Sequence, residues 1–181
     1  MNRFEIKESD NFLSKENIKF INETILSNRF PWYSEFTKTN STNLNYFFLA
    51  HTVQRRLEEY PIDQIVNSPD FFNPTVDILK NFLKSINERY NFFLRISYNF
   101  TFNNGHDRSQ IHRDHPYKHR QIVIYLNDAD PKSKTCILDD NNKIIKEITP
   151  KKFKGVSFDY VDHFHYFPKK GFRVSLVATY L

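Results

Sequence analysis

Glycine is scarce in this chain. Its 181 residues hold three, Gly105, Gly155 and Gly171. A phosphate-cradling loop needs closely spaced glycines, so dinucleotide-binding and P-loop folds are excluded. Cysteine is scarcer still, with Cys136 alone. No disulfide can form within the chain, which fits a reducing compartment. Long apolar runs are missing, so no membrane span is expected. The opening stretch from Met1 to Phe12 lacks the apolar centre of a signal peptide, and a cytoplasmic location is expected. Strong charge of one sign is also lacking. The formal net charge is +5, with Lys and Arg scattered and the densest run between Lys143 and Lys154. That run reads as an exposed hairpin and its flank. A nucleic-acid partner stays open, but no clustered basic patch supports it.

Aromatic residues are plentiful. Nineteen Phe and ten Tyr supply much of a core. The length predicts one domain over 1–181. Residues 1–90 read as mainly helical support and 91–181 as a β core. Ser14 can cap a helix running to about Leu26, with Ile18, Ile21 and Ile25 on one face. Phe30-Pro31-Trp32-Tyr33 interrupts it. The span 45–56 reads as a strand edge followed by a turn of helix. Asn73 as N-cap, Pro74 at the first position and Val76, Leu79, Leu83 and Ile86 at helical spacing predict a second helix.

Strands follow. They are predicted over 92–102, over 121–127 ahead of the turn cluster Asn127 to Pro131, and over 135–138 and 143–148 around a tip at Asp139 to Asn142. Two more are predicted over 156–167 and 172–181. Helices first and strands after predict an α+β fold, and the strand count fits a jelly-roll or cupin-like double-stranded barrel.

One constellation carries chemistry. His112 and Asp114 stand two apart, His163 and His165 follow much later, and Arg173 and Ser175 lie in the last strand. Residues i and i+2 of a strand share a face, so each pair can project into one barrel mouth. Two imidazoles and one carboxylate are the ligand set of a mononuclear Fe(II) centre with open positions. Such a centre takes a keto acid and dioxygen, and an arginine beyond the last ligand can hold the keto acid's far carboxylate. Structural zinc would need cysteines that this chain does not have. His115 and His119 form an HxxxH without the Glu of zinc proteases, and Pro116 breaks the helix that motif needs. With His106 they read as loop or rim residues.

These residues resemble the 2-oxoglutarate/Fe(II)-dependent dioxygenase superfamily, and within it the small prolyl-4-hydroxylase-like group that includes compact versions encoded by bacteriophages. The resemblance rests on His112-Arg113-Asp114, on Ile124-Tyr125-Leu126-Asn127 and on Arg173-Val174-Ser175. It covers 92–181 with motifs and is looser before. It implies a double-stranded β-helix with N-terminal helices packed against it. It implies iron held by His112, Asp114 and a distal His, for which the spacing to Arg173 favours His163 with His165 as the alternative. Arg173 would pair with the far carboxylate of 2-oxoglutarate, Ser175 would add a hydroxyl, and Tyr98 is a candidate second donor. Where the family often carries Gly-Gly-Thr before its central hairpin, this chain has Ser133-Lys134-Thr135, so a local difference in backbone path is expected there.

The activity so implied is a dioxygenase that consumes 2-oxoglutarate and O2, releases succinate and carbon dioxide, and hydroxylates a substrate. A protein side chain such as proline is the first candidate. A nucleobase or nucleotide is the second, and a cupin-like protein that binds metal without turnover is the rival from another class. The cytoplasm would be the host's if the chain is phage-encoded.

Overall fold

The computed structural model describes residues 4–36, 46–55 and 65–181. Its elements in order are β1 (Ile6–Ser9), α1 (Lys15–Phe20) running into a π-helical turn (Ile21–Ile25), β2 (Tyr33–Phe36), β3 (Phe47–Arg55), β4 (Ile65–Val66), α2 (Pro69–Ser85), β5 (Phe93–Phe102), β6 (Arg120–Tyr125), β7 (Thr135–Leu138), β8 (Ile144–Ile148), β9 (Gly155–Phe158), β10 (His163–His165) and β11 (Phe172–Tyr180). Among the described residues they form an eight-stranded sheet, ordered β1-β9-β6-β11-β5-β3-β2 with β4 on β3, and a three-stranded sheet, β10-β7-β8. Neighbouring strands pair antiparallel throughout. The predicted α+β class holds.

Strand alternation sorts the large sheet into two faces. On β6, Ile122 and Ile124 join Val174, Leu176, Ala178 and Tyr180 of β11 in a core completed by Ile21 and Ile25 of the π-turn and by Ile78, Leu79 and Phe82 of α2. The helices therefore cover that face. On the other face, Val123, Tyr125, Val156, Phe158 and Val177 meet Ile137 and Ile148 of the small sheet. Both cores are almost fully buried, and together they make three layers: helices, large sheet, small sheet.

Local signals explain the helix starts. Ser14 caps α1 in a reciprocal box with Asn17. α2 begins at Pro69 behind Ser68 rather than at Asn73-Pro74 as the sequence predicts. Proline suits a first helical position, and two prolines compete here. The earlier one wins, and Pro74 is carried inside the helix at the loss of one backbone bond.

Among the described residues of the first ninety, four strands, β1 to β4, stand beside the two helical segments. Two other expectations are corrected. The span 45–56 holds no helical turn among its described residues. β3 is one long strand between β2 and β5. The strand predicted over 156–167 is two, β9 in the large sheet and β10 in the small one. The chain changes sheets between them, which is what encloses the cavity. The hairpin at β7 and β8 forms as predicted. Its tip is set by Asp139, whose Oδ1 accepts from the backbone of Asn141 and Lys143 at 2.9 Å each, and by Asn142 in the left-handed region at φ 61°.

Candidate metal centre

The loop after β5 is drawn along β10. Ser109 donates its backbone N–H to the carbonyl of His165 at 2.8 Å, and His165 donates back to Ser109 Oγ at 2.9 Å. His112 and His163 then form an isolated antiparallel bridge. His112 is thus not on a regular strand, as predicted, but on a loop pinned to one. Asp114 follows in a bend.

The pinning brings three side chains together. One ligand atom each from His112, Asp114 and His163 lie within 4.8 Å of one another. The two imidazole centroids are 4.4 Å apart. Each imidazole is oriented by its other nitrogen: Nδ1 of His112 lies 2.9 Å from the Gln110 carbonyl, and Nδ1 of His163 lies 3.3 Å from the Val161 carbonyl. A carbonyl only accepts, so both Nδ1 atoms carry the proton and both Nε2 atoms keep a lone pair. This is the arrangement metal-binding histidines use.

Electrostatics prepare the same chemistry. Burial alone would raise the Asp114 carboxyl, but Arg95, whose Nη1 is 3.2 Å from Oδ1, and the nearby imidazoles hold it well below the usual carboxylate range. Burial pushes His163 down to about 4, the neighbouring His112 imidazole adds to this, and Asp114 opposes it. At neutral pH the group is a carboxylate with a neutral His163. Its donor set fits a divalent iron with open positions.

A cavity of about 360 Å³ adjoins the three residues and extends to Arg173 and Ser175. Arg173 is 4% exposed. Its Nη1 donates to the Ser133 carbonyl at 2.8 Å, while its Nε has no hydrogen-bond partner among the described residues. Burial lowers its pKa, yet a guanidinium in a protein keeps its proton. Thr135 of β7 closes this end and accepts from the Tyr125 hydroxyl at 2.7 Å. Between the two ends the cavity wall includes Val123 and Val177.

His165 lines the cavity but stands outside the three-residue group. Burial pushes its pKa well below the ordinary value, and the Arg173 charge adds to that. Its Nε2 is buried without a partner among the described residues. His115 and His119 lie on the loop between β5 and β6, one of the two expected placements, and not at the rim. Both are buried behind Asp114 with rings edge to face at 4.7 Å, and His115 Nε2 is 2.7 Å from Thr179 Oγ1.

Tyr98 is placed elsewhere than predicted. It is fully buried on the helix-covered face, its hydroxyl 2.7 Å from Thr75 Oγ1 of α2. The parity of β5 explains this: Arg95, Asn99 and Thr101 line the cavity, so Tyr98 points the other way. Tyr125 is the tyrosine at the cavity end, where the Arg173 charge acts on its hydroxyl. Its sequence signal is its parity with Gln121 and Val123 on β6.

By sequence, no protein-family model and no curated protein matches the chain. By structure, it is similar to an oxidoreductase of the 2OG-Fe(II) oxygenase family from Burkholderia pseudomallei, with TM-score 0.75 and 13% identity over 97% of this chain and 84% of that one. It is similar to a prolyl hydroxylase from Trichoplax adhaerens, solved with a hypoxia inducible factor peptide fragment, with TM-score 0.65 and 12% identity over 97% and 83%. A prolyl-4-hydroxylase from Pseudomonas putida aligns with TM-score 0.53 and 12% identity over 97% and 91%. At such identities the likeness shows the fold, a double-stranded β-helix. No helix among the described residues is long and apolar enough to cross a membrane.

Proposed function

We propose that this chain is a single-domain, cytoplasmic 2-oxoglutarate- and Fe(II)-dependent dioxygenase that hydroxylates a protein side chain. One observation carries the reading. The two lone-paired imidazoles and the carboxylate meet at one end of a cavity whose other end holds the buried guanidinium of Arg173. A 2-oxo dicarboxylate has the matching shape, with a chelating group at one end and a carboxylate at the other.

His112, Asp114 and His163 would hold the iron, which when bound supplies the activation of dioxygen that no side chain can perform. The residues of the chain do the rest. Arg173 neutralises the far carboxylate, with its Nε free to donate. Ser175 lines the same end, and Thr135, fixed by Tyr125, offers a second hydroxyl. Val123 and Val177 line the wall along the carbon chain and exclude water. The Tyr46 and Phe48 rings and the Asn99 amide line the side toward β3, where a substrate side chain would enter. A peptide substrate is supported by the peptide held by the Trichoplax prolyl hydroxylase. The lone Cys136, buried in β7, fits the cytoplasm.

Anaerobic titration with Fe(II) and then 2-oxoglutarate tests the site without knowledge of the substrate. A visible charge-transfer band that saturates at one equivalent is expected. Its absence from folded protein would end the proposal.

A further inference from the structure

Gln121 sits on the cavity floor where β6 crosses beneath the metal group. It is 3% exposed and pairs with Thr179 of β11 on one side and Phe158 of β9 on the other. Its Nε2 lies 3.2 Å from Nε2 of His163, and its Oε1 is buried without a hydrogen-bond partner among the described residues. The neighbouring polar side chains of this row are committed: Arg95 donates to Asp114, and Thr179 meets His115. In this row, among the described residues, Gln121 is the one whose buried polar atom has no hydrogen-bond partner.

The contact with His163 uses the lone pair that a metal would need. When a metal takes that pair, the Gln121 N–H loses its acceptor, and both ends of a buried amide then require partners. Two donor atoms side by side on a metal with bonds of about 2.1 Å lie about 3 Å apart. A metal that takes the His163 lone pair displaces the Gln121 amide from it, and a tip now 3.2 Å from the His163 nitrogen is left within hydrogen-bond reach of a ligand atom bound beside His163.

We propose that Gln121 holds the metal-binding end of the 2-oxo acid, donating an amide N–H to its oxygens as Arg173 holds the opposite end. This rests on the oxygenase reading above. An amide suits the place because it offers a donor to a carboxylate or ketone oxygen and an acceptor to a metal-bound water. A cation there would repel the metal, and a carboxylate would bind it and repel the keto acid.

The test separates metal affinity from keto-acid affinity. Mn(II), which does not turn over, is titrated into metal-free wild type, Gln121→Met and Gln121→Glu, and 2-oxoglutarate is then titrated into each Mn(II)-loaded protein by calorimetry. The expected result is Mn(II) affinity in Gln121→Met within about threefold of wild type and 2-oxoglutarate affinity about tenfold weaker. Gln121→Glu, nearly isosteric, should weaken 2-oxoglutarate further while binding Mn(II) at least as well. The Fe(II) charge-transfer band of Gln121→Met should also move, which a purely structural role would not cause. Wild-type 2-oxoglutarate affinity and an unmoved band in both variants would overturn the role of Gln121 alone. Parallel loss of metal and keto acid in both would also overturn it. A wild type that binds Mn(II) but no 2-oxoglutarate would instead sink the oxygenase reading.

Discussion

His112 and His163 are joined through their backbones before any metal is considered. Each donates its N–H to the other's carbonyl, at 3.0 and 3.1 Å. Fifty-odd residues of intervening chain are thereby reduced, at this point, to a two-residue antiparallel contact, and the imidazoles emerge side by side. An antiparallel pair of this kind fixes side-chain separation by backbone geometry rather than by rotamer choice. The spacing of the two nitrogen donors is built into the fold, and only the carboxylate of Asp114 comes from a bend.

The first prediction follows for the distal ligand. His163→Ala should weaken Fe(II) or Co(II) affinity by about a hundredfold or more, and His112→Ala and Asp114→Ala should do likewise. His165→Ala should leave metal affinity within about threefold, because that side chain stands outside the three-residue group. Anaerobic metal titration of the four variants checks this. Retained binding in His163→Ala with loss in His165→Ala would transfer the ligand role to His165.

The second prediction separates two tyrosines. Tyr125→Phe removes the hydroxyl that fixes Thr135 at the Arg173 end, and 2-oxoglutarate should bind several-fold more weakly. Tyr98→Phe removes only a bond to Thr75 under α2. Stability should fall by about 1 kcal/mol with keto-acid affinity unchanged. Arg173→Ala serves as the upper reference, with a loss beyond tenfold, because the charged partner of the far carboxylate is gone. Calorimetry and urea unfolding on the same three proteins read both quantities.

The sequence was legible where local pattern and tertiary role agree. β6 and β11 are apolar-rich runs bounded by turn residues, Ser14 caps a helix in its own box, and His112, Asp114 and the His163/His165 pair stand out by residue type before the structure groups His112, Asp114 and His163. It misled where tertiary partners satisfy polar groups that a local reading treats as solvent-facing. β3 carries His51 and Gln54, both nearly fully buried. His51 is held by the Pro31 carbonyl at 2.7 Å and Ser68 Oγ at 2.8 Å, and Gln54 donates to the Phe93 carbonyl at 2.5 Å. All three contacts are distant along the chain, so nothing near β3 announces a central strand. Tyr98 differs from expectation by parity. The strand was right, but its face depends on which partner sheet or helix covers it.

The third prediction concerns pH. The folded pKa of His163 is about 4, below its ordinary 6.5. Between these values the unfolded chain takes up a proton that the folded chain refuses, so stability is full above about 6.5 and falls as pH drops toward 4. A shift of this size corresponds to about 3 kcal/mol. His119 and His165 are lowered by burial as well and act in the same direction. Asp114, held below its ordinary 3.8, loses its contribution only at more acid pH. Urea unfolding in a chelator from pH 7.5 to 4.5 should show this slope, and His163→Asn should flatten it. An equal slope in that variant would place the proton uptake elsewhere.

The last prediction tests the layer beneath the site. Gly155 opens β9 directly under α2. A Cβ built there would lie 2.5 Å from Cε2 and 2.6 Å from Cδ2 of Phe82, and 3.3 Å from Cε1 of Phe12. The Phe82 ring is fully buried and edge-on to Phe12 at 5.1 Å, so it has nowhere to retreat without moving a neighbour. Gly155→Ala should cost about 1–3 kcal/mol through overpacking. Gly171→Ala should cost about 1 kcal/mol for a different reason: its surroundings are open, but its φ of +66° disfavours a side chain. A smaller ring position distinguishes the two mechanisms. Phe82→Leu should restore much of the loss in Gly155→Ala and none of that in Gly171→Ala, a coupling readable from a double-mutant cycle. Because the clash lies on the helix side of the large sheet, metal affinity should be unchanged in every folded variant. A fall in metal affinity in Gly155→Ala would mean that the two faces of the sheet are mechanically linked.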